Sequence, residues 1–286
     1  MIELNFNIAG IHIRFDMPNE YLPGKLGLLE TFCVNPQSEP AHHFSVKLVD
    51  TVDPPVGTLL GSEPGIQNYG DKNMECRYAV NGNGDWRTAH MRTLHDGRFH
   101  EVQLRKDCGN WLGESMILQA MAMDHLLAQH GGVVLHASCV AHQGEAYLFT
   151  APSGTGKSTQ ADLWVKYRDA EVINGDRICI RSVDNILYAC GIPYAGSSGL
   201  SKNKILPLKA ILCLEQASET TICVLQGYQA FRRIWEGISV NCANKKSVVA
   251  VSGVVESVLK NIPVFLLSCT PDESAIAAVE KILGSR

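Results

Sequence analysis

The sequence predicts an α/β protein in which a mixed β-sheet carries a phosphate-binding loop, preceded by a β-rich N-terminal domain. Three observations carry that expectation. Short runs in residues 1 to about 110 alternate apolar with polar side chains, the period of strands wet on one face. From Gly132 onward, strand-like runs are interleaved with hairpin turns and helical stretches, which suits a mixed sheet better than a purely parallel one. Between one such run and one helix lies Ala151-Pro152-Ser153-Gly154-Thr155-Gly156-Lys157-Ser158-Thr159, a match to G-x-x-x-x-G-K-[ST] with Ala151 at its first position.

In chain order, Leu4–Ile8 and Ile11–Phe15 read as a hairpin joined by Ala9-Gly10. His43–Val49 and Val102–Arg105 read as further strands, the second after a turn at His95-Asp96-Gly97. One wet face makes an antiparallel sheet the natural expectation. Residues 50–73, with Pro54-Pro55, Gly57, Gly61, Pro64, Gly65 and Gly70, read as loop. Met116, Ile117, Ala120, Met121, Met123, Leu126 and Leu127 fall at helical spacing within Glu114–His130, and Gly131-Gly132 supplies the stop. This helix is expected to bridge a domain of residues 1–112 and a domain of residues 113–286, with its methionines packed in the core. Strands are expected at 133–140, 145–150, 171–174, 177–181, 186–190, 209–215, 221–225 and 264–268. Asp184-Asn185 and Gln216–Glu219 read as hairpin turns, and helices are expected near 159–168, 227–238, 246–260 and 273–283.

With 45% hydrophobic and 19% charged residues, the 286-residue chain has ample material for a core. A net charge of −4 and a pI near 6.2 leave no basic footprint for nucleic acid or an anionic membrane. Met1–Asn7 lacks the basic stretch and apolar run of a secretory signal, and Ser247–Cys269 is broken by Glu256, Lys260, Asn261 and Pro263, so no spanning helix is expected. The ten cysteines include no C-x-x-C pair, and several, such as Cys179, Cys213 and Cys223, lie inside apolar runs. They read as reduced thiols of a cytoplasmic protein rather than a disulfide or zinc framework.

The 151–159 segment has the Walker A form. A strand, a glycine-containing turn and a helix N-terminus aim backbone N–H groups and the positive helix end at one point, which suits a polyphosphate. Ser153, Gly154, Thr155, Gly156, Lys157, Ser158 and Thr159 are the expected nucleotide-binding residues. Lys157 supplies the point charge for the β and γ phosphates of ATP, and Ser158 offers a hydroxyl to Mg2+. A second metal-holding group is expected at Asp176, in Asn174-Gly175-Asp176-Arg177, after a strand that should return beside the loop's own strand. The competing explanation is a plain surface turn, since Asn-Gly is a turn signal by itself.

His136 lies in the apolar run Val133–Ser138, where a lone histidine is usually a satisfied core residue. Its neighbourhood changes that expectation. His136-Ala137-Ser138-Cys139-Val140, the turn His142-Gln143-Gly144-Glu145, and Pro152–Ser158 together resemble the catalytic domain of HPr kinase/phosphorylase. In that family a histidine opens the strand hairpin that ends in the phosphate loop. The resemblance covers roughly residues 132–215, and Gly191-Ile192-Pro193-Tyr194-Ala195-Gly196-Ser197-Ser198 looks like a segment of diverged relatives, several of which accompany modified-peptide pathways. It implies a mixed-sheet P-loop fold of the HPr kinase and phosphoenolpyruvate carboxykinase type. It also implies His136, Lys157 and Asp176 as catalytic residues and Ser158 and Asp176 as metal ligands.

The sequence departs from the family in one place that matters for chemistry. The family carries Asp-Asp-Arg after the next strand, its first aspartate implicated as the base that accepts the substrate's hydroxyl proton; this chain has Gly175-Asp176-Arg177. His136 is the substitute the sequence offers, and a dissociative transition state needs little help from a base. The N-terminal half does not resemble the family's usual N-terminal domain.

The expectation is therefore an ATP- and Mg2+-dependent kinase acting on a hydroxyl of a peptide, protein or small molecule. Two alternatives stand beside it: a carboxykinase, for which the chain is short, and a nucleotide-switched module that binds a peptide along a sheet edge. Among other residues, Lys202 and Lys204 are candidates to close over phosphates, Arg177 to clamp one, and Arg232 and Arg233 to be surface charges. His90, His95 and His100 are spaced by five, which suits neither helix nor strand ligation, so no metal is expected there. Self-association is left open by the sequence.

Overall fold

The structure, a computed structural model, describes residues 1–20, 26–36, 39–63, 65–80, 86–93, 97–107, 114–240, 242 and 245–284. The chain divides into two compact units, Met1–Met123 with Cys242–Lys245, and Asp124–Asn241 with Lys246–Arg286.

The first unit is built on an eight-stranded sheet. Strands β1 (Ile2–Ile8) and β2 (Ile11–Met17) form the expected hairpin, closed by Ala9 and Gly10 with φ of 53° and 78°. Two left-handed residues in a two-residue loop match the right-handed twist of the strands they join. A 3-10 turn at Gly27–Phe32 precedes β3 (His42–Val49). Then come β4 (Thr58–Glu63), β5 (Ile66–Gly70), β6 (Met74–Val80), β7 (Trp86–Thr93) and β8 (Phe99–Arg105). Their order across the sheet is β1-β2-β3-β8-β7-β6-β5-β4. The alternating positions Phe6, Ile8, Ile13, Phe15, Phe44 and Val46 are buried, and Phe15 stacks on Phe44 at 4.4 Å.

Two expectations for this unit are corrected. The sheet is not wholly antiparallel, because β3 runs parallel to both β2 and β8. Alternation reports which side chains are buried, not the direction of the neighbouring strand. Residues 50–73 are not all loop, since β4 and β5 pair within them. On β4, Leu59 and Leu60 are 54% and 46% exposed, so this edge strand has no buried periodicity to detect. The turn expected at His95-Asp96-Gly97 lies largely outside the described residues.

The helix expected over 114–130 is two helices, α1 (Glu114–Met121) and α2 (Met123–Gln129). Ala122 adopts φ 44°, which interrupts the helical hydrogen-bond ladder while leaving the apolar spacing unbroken.

The second unit contains a nine-stranded mixed sheet. Its elements are β9 (Gly132–His142), β10 (Glu145–Thr150), α3 (Lys157–Arg168), β11 (Glu171–Asn174), β12 (Arg177–Val183), β13 (Ile186–Gly191) and β14 (Ile205–Gln216). They continue with β15 (Thr221–Val224), α4 (Gly227–Trp235), β16 (Ile238–Ser239), α5 (Lys245–Asn261), β17 (Val264–Cys269) and α6 (Glu273–Gly284). The main order is β10-β9-β12-β13-β14-β17-β15, with β11 and β16 also on β9. β14 runs parallel to β10 and β17, and the other pairings are antiparallel. The long strands β9 and β14 each change partners along their length, pairing with β12 or β13 at one end and with β10 at the other.

Side chains on the two faces of this sheet enter two cores. One holds Phe149, Leu212 and Phe265 with Ala161 and Trp164 of α3 and Ile276 of α6. The other holds Leu148, Ile211 and Cys213 with Ile234 of α4 and Val251, Val255 and Val258 of α5. Trp164 is 1% exposed and packs 4.7 Å from Tyr147, so it seats α3 on the sheet. The Asp184-Asn185 turn is observed, with φ of 49° and 64°. The Gln216–Glu219 hairpin is not: β17 lies between β14 and β15, because a parallel partner takes the place beside β14. β11 likewise does not return beside β10; it pairs with β9, leaving β14 as the parallel neighbour of β10. No helix among the described residues is long and apolar enough to cross a membrane.

Candidate functional site

The site begins where β10 ends. Thr150 is the last residue of that strand, and α3 starts at Lys157. The connecting loop turns through Gly154 and Gly156, with φ of 79° and 116°. A cavity of about 300 Å3 opens over it, lined by Ser153, Gly154, Gly156, Lys157, Ser158, Thr159, His136, Gly175, Asp176 and Ser198. All of these fall in segments singled out from the sequence, Ser198 as the last residue of Gly191–Ser198, to which no chemical role was given. Thr155 sits beside the cavity, its carbonyl 3.4 Å from Gln216 Nε2 at the end of β14.

Lys157 is 8% exposed, its Nζ donating to the carbonyls of Ala151 and Pro152 at 3.0 and 3.3 Å. Burial pulls its pKa below the usual lysine value, and the nearby Asp176 charge opposes that shift. A cation curled onto its own loop's carbonyls is poised to exchange them for an anion. Ser138, fully buried on β9, donates to the Lys157 carbonyl at 2.9 Å and so ties the first turn of α3 to the strand.

Strand periodicity puts His136 on the same face of β9 as Ser138. Its backbone N–H donates to Gly237 O at 2.8 Å and its carbonyl accepts Thr150 Oγ1 at 3.0 Å. The ring is thereby aimed into the cavity, where its side chain remains 38% exposed and Nε2 lies 3.1 Å from Asp176 Oδ1. His136 is therefore not a core histidine. A ring nitrogen facing a carboxylate carries the proton of that contact, which leaves Nδ1 as the nitrogen able to accept one.

Asp176 follows β11 and is held from two sides. Its carbonyl accepts the Ala137 N–H at 2.9 Å, and its Oδ2 lies 3.5 Å from Arg177 Nε. Arg177 in turn sits 5.8 Å from the centre of the Tyr194 ring. Beside Asp176, a side chain at position 175 would require Ser198 to move. A Cβ there would come within 2.3 Å of Ser198 Oγ and 2.6 Å of Ser198 Cβ.

Among the oxygen-bearing side chains that line the cavity, Asp176 supplies the one carboxylate, and Ser158, the first residue after Lys157, supplies a hydroxyl next to that lysine. Among the described residues no group of three His, Cys, Asp or Glu side chains could hold a metal. One carboxylate and one hydroxyl suit Mg2+, which binds through few protein oxygens plus phosphates and waters, and do not suit zinc.

Other candidates lie elsewhere. Lys202 and Lys204 both pair with Glu171, so neither is turned to the cavity. Arg232 pairs with Glu236 at 3.6 Å and Arg233 with Glu215. His95 and the side chain of His90 lie outside the described residues; His100 is buried, stacked on Phe44 at 4.1 Å and hydrogen-bonded to His42 at 2.9 Å. Sequence reasoning assigned no part to Ser138, Asn174, Ser198 or Gln216. For Ser138 a signal existed, its place two residues after His136 on a strand.

No family model and no curated protein matches the sequence. Among solved structures, the Hpr(Ser) kinase/phosphatase from Coxiella burnetii is similar over 52% of this chain and 95% of its own, with a TM-score of 0.32 and 12% identity.

Proposed function

We propose that the second unit binds ATP with Mg2+ and transfers the γ-phosphoryl group to a hydroxyl of a peptide, protein or small molecule. The supporting observation is the convergence of Lys157, His136 and Asp176 on one cavity at the N-terminus of α3. In this proposal residues 113–286 form the catalytic domain, and residues 1–112 serve another role.

The loop amides of Ser153–Ser158 and the Lys157 ammonium receive the phosphates, Lys157 leaving the Ala151 and Pro152 carbonyls as it does so. Ser158 and Asp176 would hold Mg2+, whose chemistry is to neutralise charge developing on the phosphate oxygens. As the acceptor oxygen bonds to the γ-phosphorus, the bond to the β–γ bridging oxygen breaks and ADP leaves. The acceptor's proton goes to His136 Nδ1, the Asp176 carboxylate on Nε2 stabilising the imidazolium. No side chain at 175 takes part, since Ser198 fills that volume.

Incubation with γ-labelled ATP and a library of peptides and hydroxylated small molecules tests this. Label on an acceptor, lost in Lys157→Ala, supports it; transfer by Lys157→Ala at the wild-type rate sinks it. The closed volume at 175 gives one observation in favour of a nucleotide switch without transfer. ADP formation in the absence of any acceptor, with no labelled product in its presence, selects the switch.

A further inference from the structure

Asn174 ends β11 and is fully buried, with every hydrogen-bonding position of its amide in use. Its Oδ1 accepts the backbone N–H groups of Asp176 and Arg177, both at 2.9 Å. Its Nδ2 donates to the carbonyls of Ile192 and Tyr194 at 3.0 Å each, and lies 3.2 Å from Ser201 Oγ. The neighbours dictate the orientation of the amide: reversed, its oxygen would face two carbonyls and its NH2 two N–H groups. Two more bonds join the same two segments, and a third closes the loop on itself. Gly175 N–H reaches Leu200 O at 3.2 Å, Lys202 N–H reaches Ile173 O at 2.9 Å, and Ser201 Oγ donates to Ile192 O at 2.6 Å. The loop so held sets Ser198 over Gly175 and Gly196 against Asp176, where a Cβ would come 2.6 Å from Asp176 Cγ.

We propose that Asn174 is the positioning residue of the site. It sets the Asp176 carboxylate through the turn and locks the 192–201 loop against it, so that Asp176 is already oriented when a metal–phosphate group arrives. The proposal rests on the nucleotide-binding function above. An Asx turn needs only the side-chain oxygen. Here the amide nitrogen also reaches groups 18 to 27 residues further along the chain. That second half of the side chain has no use in a plain turn, and it couples Asp176 to the loop that roofs it. Groups that orient a metal-binding carboxylate from outside are typically worth about ten- to a hundredfold in metal affinity.

The test measures ATP affinity of the full chain by calorimetry, with Mg2+ and with EDTA, in wild type, Asp176→Asn and Asn174→Ala. Wild type is expected to gain affinity with Mg2+. Asn174→Ala should keep the metal-free affinity and lose about ten- to a hundredfold of the gain, as Asp176→Asn does. In the ligand-free protein, the Asp176 and Arg177 amides should also exchange with deuterium faster in Asn174→Ala. A folded Asn174→Ala with the wild-type Mg2+ gain overturns the proposal. Should that variant fail to fold, Ser201→Ala, which trims a single partner of Nδ2, must show a smaller loss in the same direction, and an unchanged gain there overturns it equally. A wild type that binds ATP with no Mg2+ gain overturns it too. If wild type binds no ATP under either condition, the nucleotide-binding function itself falls, and this proposal with it.

Discussion

His136 and Asp176 are joined at two levels: the ring Nε2 lies 3.1 Å from Asp176 Oδ1, and the amide following His136, that of Ala137, donates to the Asp176 carbonyl at 2.9 Å. Backbone pairing thus presets what the side chains do. The two residues should act as a unit. His136→Gln and Asp176→Asn are each expected to lower kcat by roughly 10²- to 10⁴-fold, and the double variant by far less than the product. Multiplicative losses in steady-state phosphotransfer would show that the pair is not coupled.

Lys157→Met should abolish nucleotide capture, with at least about a hundredfold loss in kcat/KM, and yet not lower Tm. The folded-state pKa of Lys157 is depressed by burial, so at neutral pH the folded protein bears the full cost of a desolvated ammonium. That cost is present below the folded pKa and relieved as pH rises toward the ordinary lysine value. Melting curves at neutral pH should place the variant level with or above wild type, and the difference should shrink in alkaline buffer.

Introducing a carboxylate at 175 should fail. Gly175→Asp drives its Cβ into Ser198, and both Tm and ATP affinity should fall. Adding Ser198→Gly should recover stability, at least for Gly175→Ala. A Gly175→Ala protein as stable as wild type with Ser198 intact would show that the loop yields freely.

Alkylation with iodoacetamide under native conditions should modify Cys223 and Cys242, which are exposed, well before Cys139, Cys179, Cys190 and Cys213. Burial pushes the Cys139 thiol up and the Cys213 thiol up to about 12, so neither offers thiolate near neutral pH. Peptide mass mapping with and without denaturant checks the order.

Much of the second unit was legible because its strands and helices carry strong periodicity and are punctuated by turn residues. The runs at 145–150, 171–174 and 186–190 are strands, and all four helices lie where the spacing put them. Strand partners were legible where a tight turn joins them, as at Ala9-Gly10 and Asp184-Asn185, but not across longer connections. Nothing in Val172-Ile173 states that β11 lies against β9 rather than β10, or in Gln216–Glu219 that β17 comes between β14 and β15. In the first unit, β4 was missed because an edge strand with exposed leucines repeats no buried pattern.

By itself the sequence determined the alternation of element types, the loop from Ala151 to Thr159 and the residues whose chemistry suits a nucleotide, since these are written in local spacing and side-chain type. Only the tertiary structure decided that His136 faces Asp176, that Lys157 rests on its own loop's carbonyls, and that Ser198 closes the space above Gly175. It also turned Asn174 from a turn residue into the hub of five contacts. Each of these joins segments through a pairing of strands or the packing of a loop. Such contacts arise from which surfaces bury each other in three dimensions, and no local period in the chain encodes them.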